Sequence, residues 1–90
     1  MAQVQFTSNL KRFYPNLNAT NIEAETVAQL IDEIEKHYPG LKSYITDDQS
    51  RLRHHVNIFI NQNMIQDRQL LQDKVEKHDN VYIMQALSGG

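Results

Sequence analysis

The chain has 90 residues, with 9 Lys and Arg against 11 Asp and Glu, a formal charge of −2, and no cysteine. That length holds one domain, and the absence of cysteine excludes a disulfide-stapled mini-protein, a zinc ribbon and a thiol nucleophile. The slight acidic surplus argues against nucleic acid as a partner, because phosphate binding calls for a strong positive surplus. A hydrophobic fraction of 40% with a mean hydropathy of −0.59 suits a soluble protein with a compact core. No apolar run is long enough to span a bilayer. The start, Met1-Ala2-Gln3-Val4-Gln5-Phe6, lacks the blocks of a signal peptide, so a cytoplasmic location with no membrane partner is expected.

Val4 and Phe6 alternate with Gln3, Gln5 and Thr7, the pattern of a half-buried first strand. Ile22 and Ala24 alternate with Asn21 and Glu23 to predict a second. The spacing of Val27, Leu30, Ile31, Ile34 and Tyr38 then predicts an amphipathic helix from about Thr26 to Tyr38. Thr26 and Gln29 have capping-box spacing at its start, and Pro39-Gly40 stops it. Val56, Ile58 and Ile60 alternate with His55, Asn57 and Phe59 in a third strand, followed by a turn at Asn61-Gln62-Asn63. Leu70, Leu71 and Val75 are expected to close the core from a short strand or helical turn. His78-Asp79-Asn80 turns the chain into a last strand, with Val81 and Ile83 alternating with Tyr82 and Met84 and running on to Ala86. The fold class is α+β: a roll with one main helix on one face of a mixed sheet of four to five strands.

The interior offers no P-loop, G-x-S-x-G, G-x-G-x-x-G or H-E-x-x-H motif. Of the histidines, His54 and His55 are adjacent and point to opposite faces if they lie in a strand, while His37 and His78 fall at a helix end and a turn. No metal site is expected. Asp47-Asp48 reads as a turn former, and Arg51-Leu52-Arg53-His54-His55 as a locally basic edge, solvated or docking a partner. If Val56, Ile58, Ile60, Val81 and Ile83 face the helix, alternation turns Phe59, Tyr82 and Met84 outward. These three are the candidate partner-docking face, unless a loop covers them or they are tolerated singly.

The sequence closes Leu87-Ser88-Gly89-Gly90, read as a flexible tail of residues 87–90 beyond a domain of residues 1–86. Glycine has no Cβ, so a narrow cleft can admit a Gly-Gly backbone. Four residues reach roughly 13 Å beyond the last strand. A terminal carboxyl has an intrinsic pKa of about 3.3–3.7, so it is ionised and unreactive at neutral pH and needs activation by another protein.

Three segments carry a family resemblance. They are Asp47-Asp48-Gln49-Ser50-Arg51-Leu52-Arg53, His55-Val56-Asn57-Ile58-Phe59-Ile60-Asn61, and Val81-Tyr82-Ile83-Met84-Gln85-Ala86-Leu87-Ser88-Gly89-Gly90. Together with the Thr26-Val27 helix start and the Tyr38-Pro39-Gly40-Leu41 exit, the chain resembles the MoaD/ThiS family of sulfur carriers. The resemblance implies a ubiquitin-like β-grasp roll and a carrier that is not itself an enzyme and binds no cofactor of its own. It implies that an adenylating enzyme of the ubiquitin-activating type uses ATP to activate Gly90. A sulfur donor then converts the acyl-adenylate to a thiocarboxylate, and an acceptor synthase uses the sulfur in cofactor (molybdopterin or thiamine-like) or amino-acid biosynthesis. Gly89 and Gly90 match the family's terminal pair. The chain departs from the family's frequent Asn-Gly turn at Asn61-Gln62 and Gly-Asp turn at His78-Asp79, which alters turns and not chemistry, and from its proline at Gln85; Gln85 and Leu87 point to a stand-alone relative. With no cysteine to hold a persulfide, the Gly90 carboxyl is where sulfur would sit. Two other readings use the same chain: a modifier joined to lysines through Gly90, or a non-catalytic interaction module or synthase subunit.

Overall fold

The computed structural model describes residues 1–11, 14, 17 and 19–85. Five strands, β1 (Ala2–Phe6), β2 (Thr20–Ile22), β3 (Val56–Ile60), β4 (Asn63–Met64) and β5 (Asn80–Gln85), form one mixed sheet in the order β2-β1-β5-β3-β4. β1 and β5 run parallel at the centre, and the other pairings are antiparallel. The pleat sends successive side chains to opposite faces. Ala2, Val4 and Phe6 of β1 are therefore buried, while Gln3 and Gln5 are exposed. Val56, Ile58, Val81 and Ile83 continue the same buried face across β3 and β5.

Helix α2 (Val27–His37) lies on that face and buries Val27, Leu30, Ile31 and Ile34. Each such burial contributes about 1.5–3 kcal/mol. Thr26 is the N-cap, its Oγ1 accepting the Gln29 N–H at 3.2 Å. The Gln29 side chain reaches back one residue further than the predicted box and accepts the Glu25 N–H at 3.0 Å. The Val27 and Ala28 N–H groups donate to the carbonyls of Asp73 and Leu71, so the loop before β5 satisfies helix-end donors that have no partner within α2.

At the other end Tyr38 is the C-cap, and Gly40 follows with φ +94°. A Cβ at Gly40 would lie 2.8 Å from the Tyr14 hydroxyl. The Glu35 carboxylate accepts the N–H groups of Gly40 and Lys42, both at 2.9 Å, and so links the α2 exit to a second short helix, α3 (Lys42–Ile45). These bonds, that from Gly40 foremost, hold the Glu35 carboxyl below its ordinary pKa. Tyr14 meets Tyr38 and Tyr44 edge-on, with ring centroids 6.5 and 5.9 Å apart, and Tyr38 meets Phe6 in the same way.

The roll has one main helix, as expected, with differences at the small elements. β2 ends at Ile22, before the predicted Ala24, which still packs half-buried against the core. A third helical segment, α1 (Ser8–Lys11), follows β1. The fourth strand in sequence is β4, not the Leu70–Val75 segment. There Leu71 and Val75 are buried as predicted, but Leu70 is 70% exposed. The Asp67 carboxylate accepts the N–H groups of Gln69, Leu70 and Gln72, folding the segment into a tight turn that places Leu71 inward and Leu70 outward. Leu71 takes φ 57° to do so. Asn61 and His78 also have positive φ, so the two turns where the family has glycine nearby fold here without it. Ala86 lies outside the described residues.

Candidate docking face and carboxyl-terminal site

The face of the sheet opposite α2 is built by the same alternation that buries the core. The register pairs Gln5 with Tyr82, Tyr82 with Phe59 and Phe59 with Met64, so these four residues stand side by side across four strands. Met84 pairs with Asn57 one step further along β5. Phe59 and Tyr82 are half-buried, and Met84 and Met64 are 37% and 50% exposed. The structure thus brings Phe59, Tyr82 and Met84 onto one face and adds Met64, which sequence reasoning missed. A two-residue strand has no period to read. Its only signal is the position of Met64 after the Asn61-Gln62 turn, which sets it opposite Phe59. The face is divided: apolar along β5, β3 and β4, and polar along β1 and β2, where Gln3, Gln5 and Asn21 are exposed.

The residues proposed to carry the chemistry, Leu87, Ser88, Gly89 and Gly90, lie outside the described residues. The structure does place the strand leading to them. β5 is held between β1 and β3, and its last residue, Gln85, is tied on both sides. Its N–H donates to Thr7 Oγ1 at 3.2 Å, and its side-chain amide lies 3.2 Å from His55 Nε2.

The polar residues singled out in sequence fall beside this point. His54 and His55 sit in a turn ahead of β3, which begins at Val56; His55 is not in the strand as predicted. Among the described residues, no group of three or more His, Asp or Glu is placed to hold a metal ion. Asp47 shapes a turn: its Oδ1 accepts the N–H groups of Gln49 and Arg51, and Ser50 takes φ 62°. The bond from Arg51 N–H is the first cause holding the Asp47 carboxyl below its ordinary pKa. Arg68, not singled out in sequence, is fixed by three hydrogen bonds. Its Nη1 donates to Asn57 Oδ1 and its Nη2 to the carbonyls of Arg53 and Val56. Among the described residues, no helix is long and apolar enough to cross a membrane.

The element order and the one-helix sheet define a ubiquitin-like β-grasp domain. A family model described as the ThiS family matches residues 4–90, and the chain belongs to this family of ubiquitin-like sulfur-carrier proteins, which are small carriers rather than catalysts. No curated protein sequence matches the chain. Among solved structures, a chain of the BexX/CysO complex from Amycolatopsis orientalis is 20% identical. It matches over 100% of both chains with a TM-score of 0.85. Small archaeal modifier protein 1 from Methanosarcina acetivorans is 27% identical over 99% of this chain and 95% of its own, with a TM-score of 0.77. A chain of the complex of subunits 1 and 2 of molybdopterin-converting factor from Helicobacter pylori is 18% identical. It covers 99% of this chain and 97% of its own, with a TM-score of 0.62. Two of these similar structures are thus complexes between partner proteins.

Proposed function

We propose that this protein carries sulfur on the carboxyl group of Gly90. The observation that carries the reading is the reach of the family match, which runs through Gly89 and Gly90. In this reading an adenylating partner enzyme brings ATP, and the Gly90 carboxylate attacks the α-phosphorus with release of pyrophosphate. A sulfide equivalent from a donor then adds at the carbonyl carbon and AMP departs, leaving a thiocarboxylate for an acceptor synthase. The protein supplies no catalytic side chain to these steps and holds no cofactor. Its parts are a carboxyl group, a glycine pair slim enough for a narrow cleft, and a face by which the partner grips the domain. Phe59, Tyr82 and Met84, with Met64 beside them, supply that face, since several large apolar side chains on one exposed surface mark interaction sites.

The test is intact-mass analysis of the protein co-expressed with its adenylating enzyme. The expected product is heavier by one oxygen-for-sulfur exchange, localised to Gly90 by fragmentation. An unmodified Gly90, with the adenylating enzyme shown to be active, would falsify the reading. A second reading is favoured by the similarity to a protein described as a modifier: Gly90 joined to lysines of other proteins. Because Lys77 is the last tryptic site, a thirteen-residue remnant running from His78 to Gly90 on target lysines after trypsin digestion distinguishes it, and its absence under conditions that form the thiocarboxylate rejects it.

A further inference from the structure

Beside the carboxyl-terminal end of β5 the surface opens into a cavity of about 330 Å³, lined among others by Arg51, Arg53, Arg68, His54, His55 and Asp47. Three guanidinium groups therefore line one concavity in a chain whose net charge is −2. Asp47 is the carboxylate among the described lining residues, and it is already engaged. Its oxygens take two backbone N–H groups, and Arg51 Nε stands 3.4 Å from Oδ2. Asp48 is set outside, lining a shallower neighbouring hollow with Asp47, Gln49, Arg51 and Arg53.

Arg51 is paired with Asp47, whereas Arg53 and Arg68 are held in place without being neutralised. Arg68 is anchored wholly on uncharged acceptors, the Asn57 amide and two backbone carbonyls. Arg53 gives its Nε to the Ser43 carbonyl at 2.8 Å, and its two Nη groups have no protein acceptor among the described residues. A fixed planar guanidinium with free donors is suited to bidentate capture of a carboxylate or phosphate, because little side-chain entropy is left to lose.

The location favours one source for that anion. His55, in the wall, touches Gln85, the last residue of β5 before the carboxyl-terminal segment. Asn57, which anchors Arg68, is the register partner of Met84 on the apolar face. A body that covers the apolar face as far as Met84 and Gln85 borders this cavity as well. We propose that the cavity is a docking site for an acidic segment, Asp or Glu side chains, of the protein that acts on the Gly90 end. The partner's role rests on the carrier reading above, whereas the acidic-segment site itself does not. Apolar contact along β3 and β5 and ion pairing at the carboxyl-terminal end of β5 then form one continuous surface.

The site is tested on the protein alone, by amide chemical-shift titration with hexaglutamate, hexaglutamine and inorganic phosphate. Hexaglutamate is expected to shift residues 47–55 and 68–69 saturably, and to weaken as salt rises from about 0.1 M to about 1 M, where the Debye length falls from about 10 Å to about 3 Å. Hexaglutamine is expected to leave them unmoved. Arg51→Gln/Arg53→Gln should weaken hexaglutamate binding by about tenfold or more, the scale of one or two charge-assisted hydrogen bonds. Arg51→Gln alone serves if the double variant does not fold, since that side chain is 49% exposed. No hexaglutamate shift at these residues, or equal binding by the variant, overturns the site. Phosphate binding as tight as hexaglutamate overturns the assignment to a protein partner. In the thiocarboxylate assay the variant should raise the KM for this protein about tenfold at unchanged thermal midpoint, and an unchanged KM overturns the link to the Gly90 reaction. Hexaglutamate binding with no thiocarboxylate defeats the carrier reading and leaves the site standing.

Discussion

The two faces of the sheet come from the same strands, alternate residue by alternate residue, and serve opposite ends. On the inner face Val4, Val56, Ile58, Val81 and Ile83 are at most 1% exposed beneath α2. On the outer face Phe59 and Tyr82 are half-buried and Met64 and Met84 remain open. Apolar side chains thus hold the domain together on one side and are left available on the other. The separation implies that stability and recognition can be altered independently, one residue apart in sequence.

Ile58→Ala is the hardest break. It empties a fully buried position at the centre of the inner face and should cost about 3–4 kcal/mol, combining lost transfer energy with a cavity. At about 4–8 °C per kcal/mol for a domain of this size, thermal unfolding followed by circular dichroism will show it plainly. A shift under about 1 kcal/mol would mean that the inner face repacks and is not the rigid side.

Gly40→Ala attacks the same side through the exit of α2. The backbone there is left-handed and the new methyl group collides with the Tyr14 hydroxyl, so a loss of about 1–2 kcal/mol in urea unfolding is expected. A parental midpoint would show that Tyr14 gives way and that the exit is soft.

Phe59→Asp, next door to Ile58, should cost about 1 kcal/mol or less, the scale of its cross-strand pairs with Tyr82 and Met64. Its effect belongs elsewhere. Adenylation of the purified variant by the partner enzyme should be abolished while its circular dichroism spectrum is unchanged. Parental adenylation kinetics would remove Phe59 from the docking face.

The smallest effect is in pH. Glu35 has a depressed pKa, set first by the Gly40 N–H and then by the Lys42 N–H. Its contribution is therefore present above the unfolded carboxylate pKa of about 4.3 and is lost as pH falls through the lower folded value. Asp47 and Asp67 are depressed in the same direction by backbone donors, so the parent should lose stability between about pH 5 and pH 3. Glu35→Gln should flatten that slope, and an identical urea midpoint profile in the variant would show that the bonds to Gly40 and Lys42 do not depend on charge.

The sequence was most legible where it repeats. Four alternating strands and a helix with a 3.6-residue stripe were read from their periods, and each of those elements is present, the second strand ending short of Ala24. Helices of four residues and a strand of two have no period, so Ser8–Lys11, α3 and β4 were unreadable. The Leu70-Leu71 pair was misread for another reason. Both residues are equally apolar, and the choice between them is made by Asp67, whose carboxylate gathers three N–H groups into a turn. The outer face was legible because it is the complement of the inner one. The role of Arg68 was not, because its partners at Arg53, Val56 and Asn57 are distant in sequence and two of them are backbone carbonyls.

The place of β5 carries a consequence for synthesis on the ribosome. Before Asn80 has emerged, the nascent chain can pair β1 with β2 and β3 with β4, but nothing joins the two ribbons, because the strand between them is still unmade. Long-range pairing of this kind is slow and has to wait for its last participant. The sheet is therefore completed only once Asn80–Gln85 is free to pair. A chain that stops before Asn80 lacks the central strand, and its two ribbons stay unjoined.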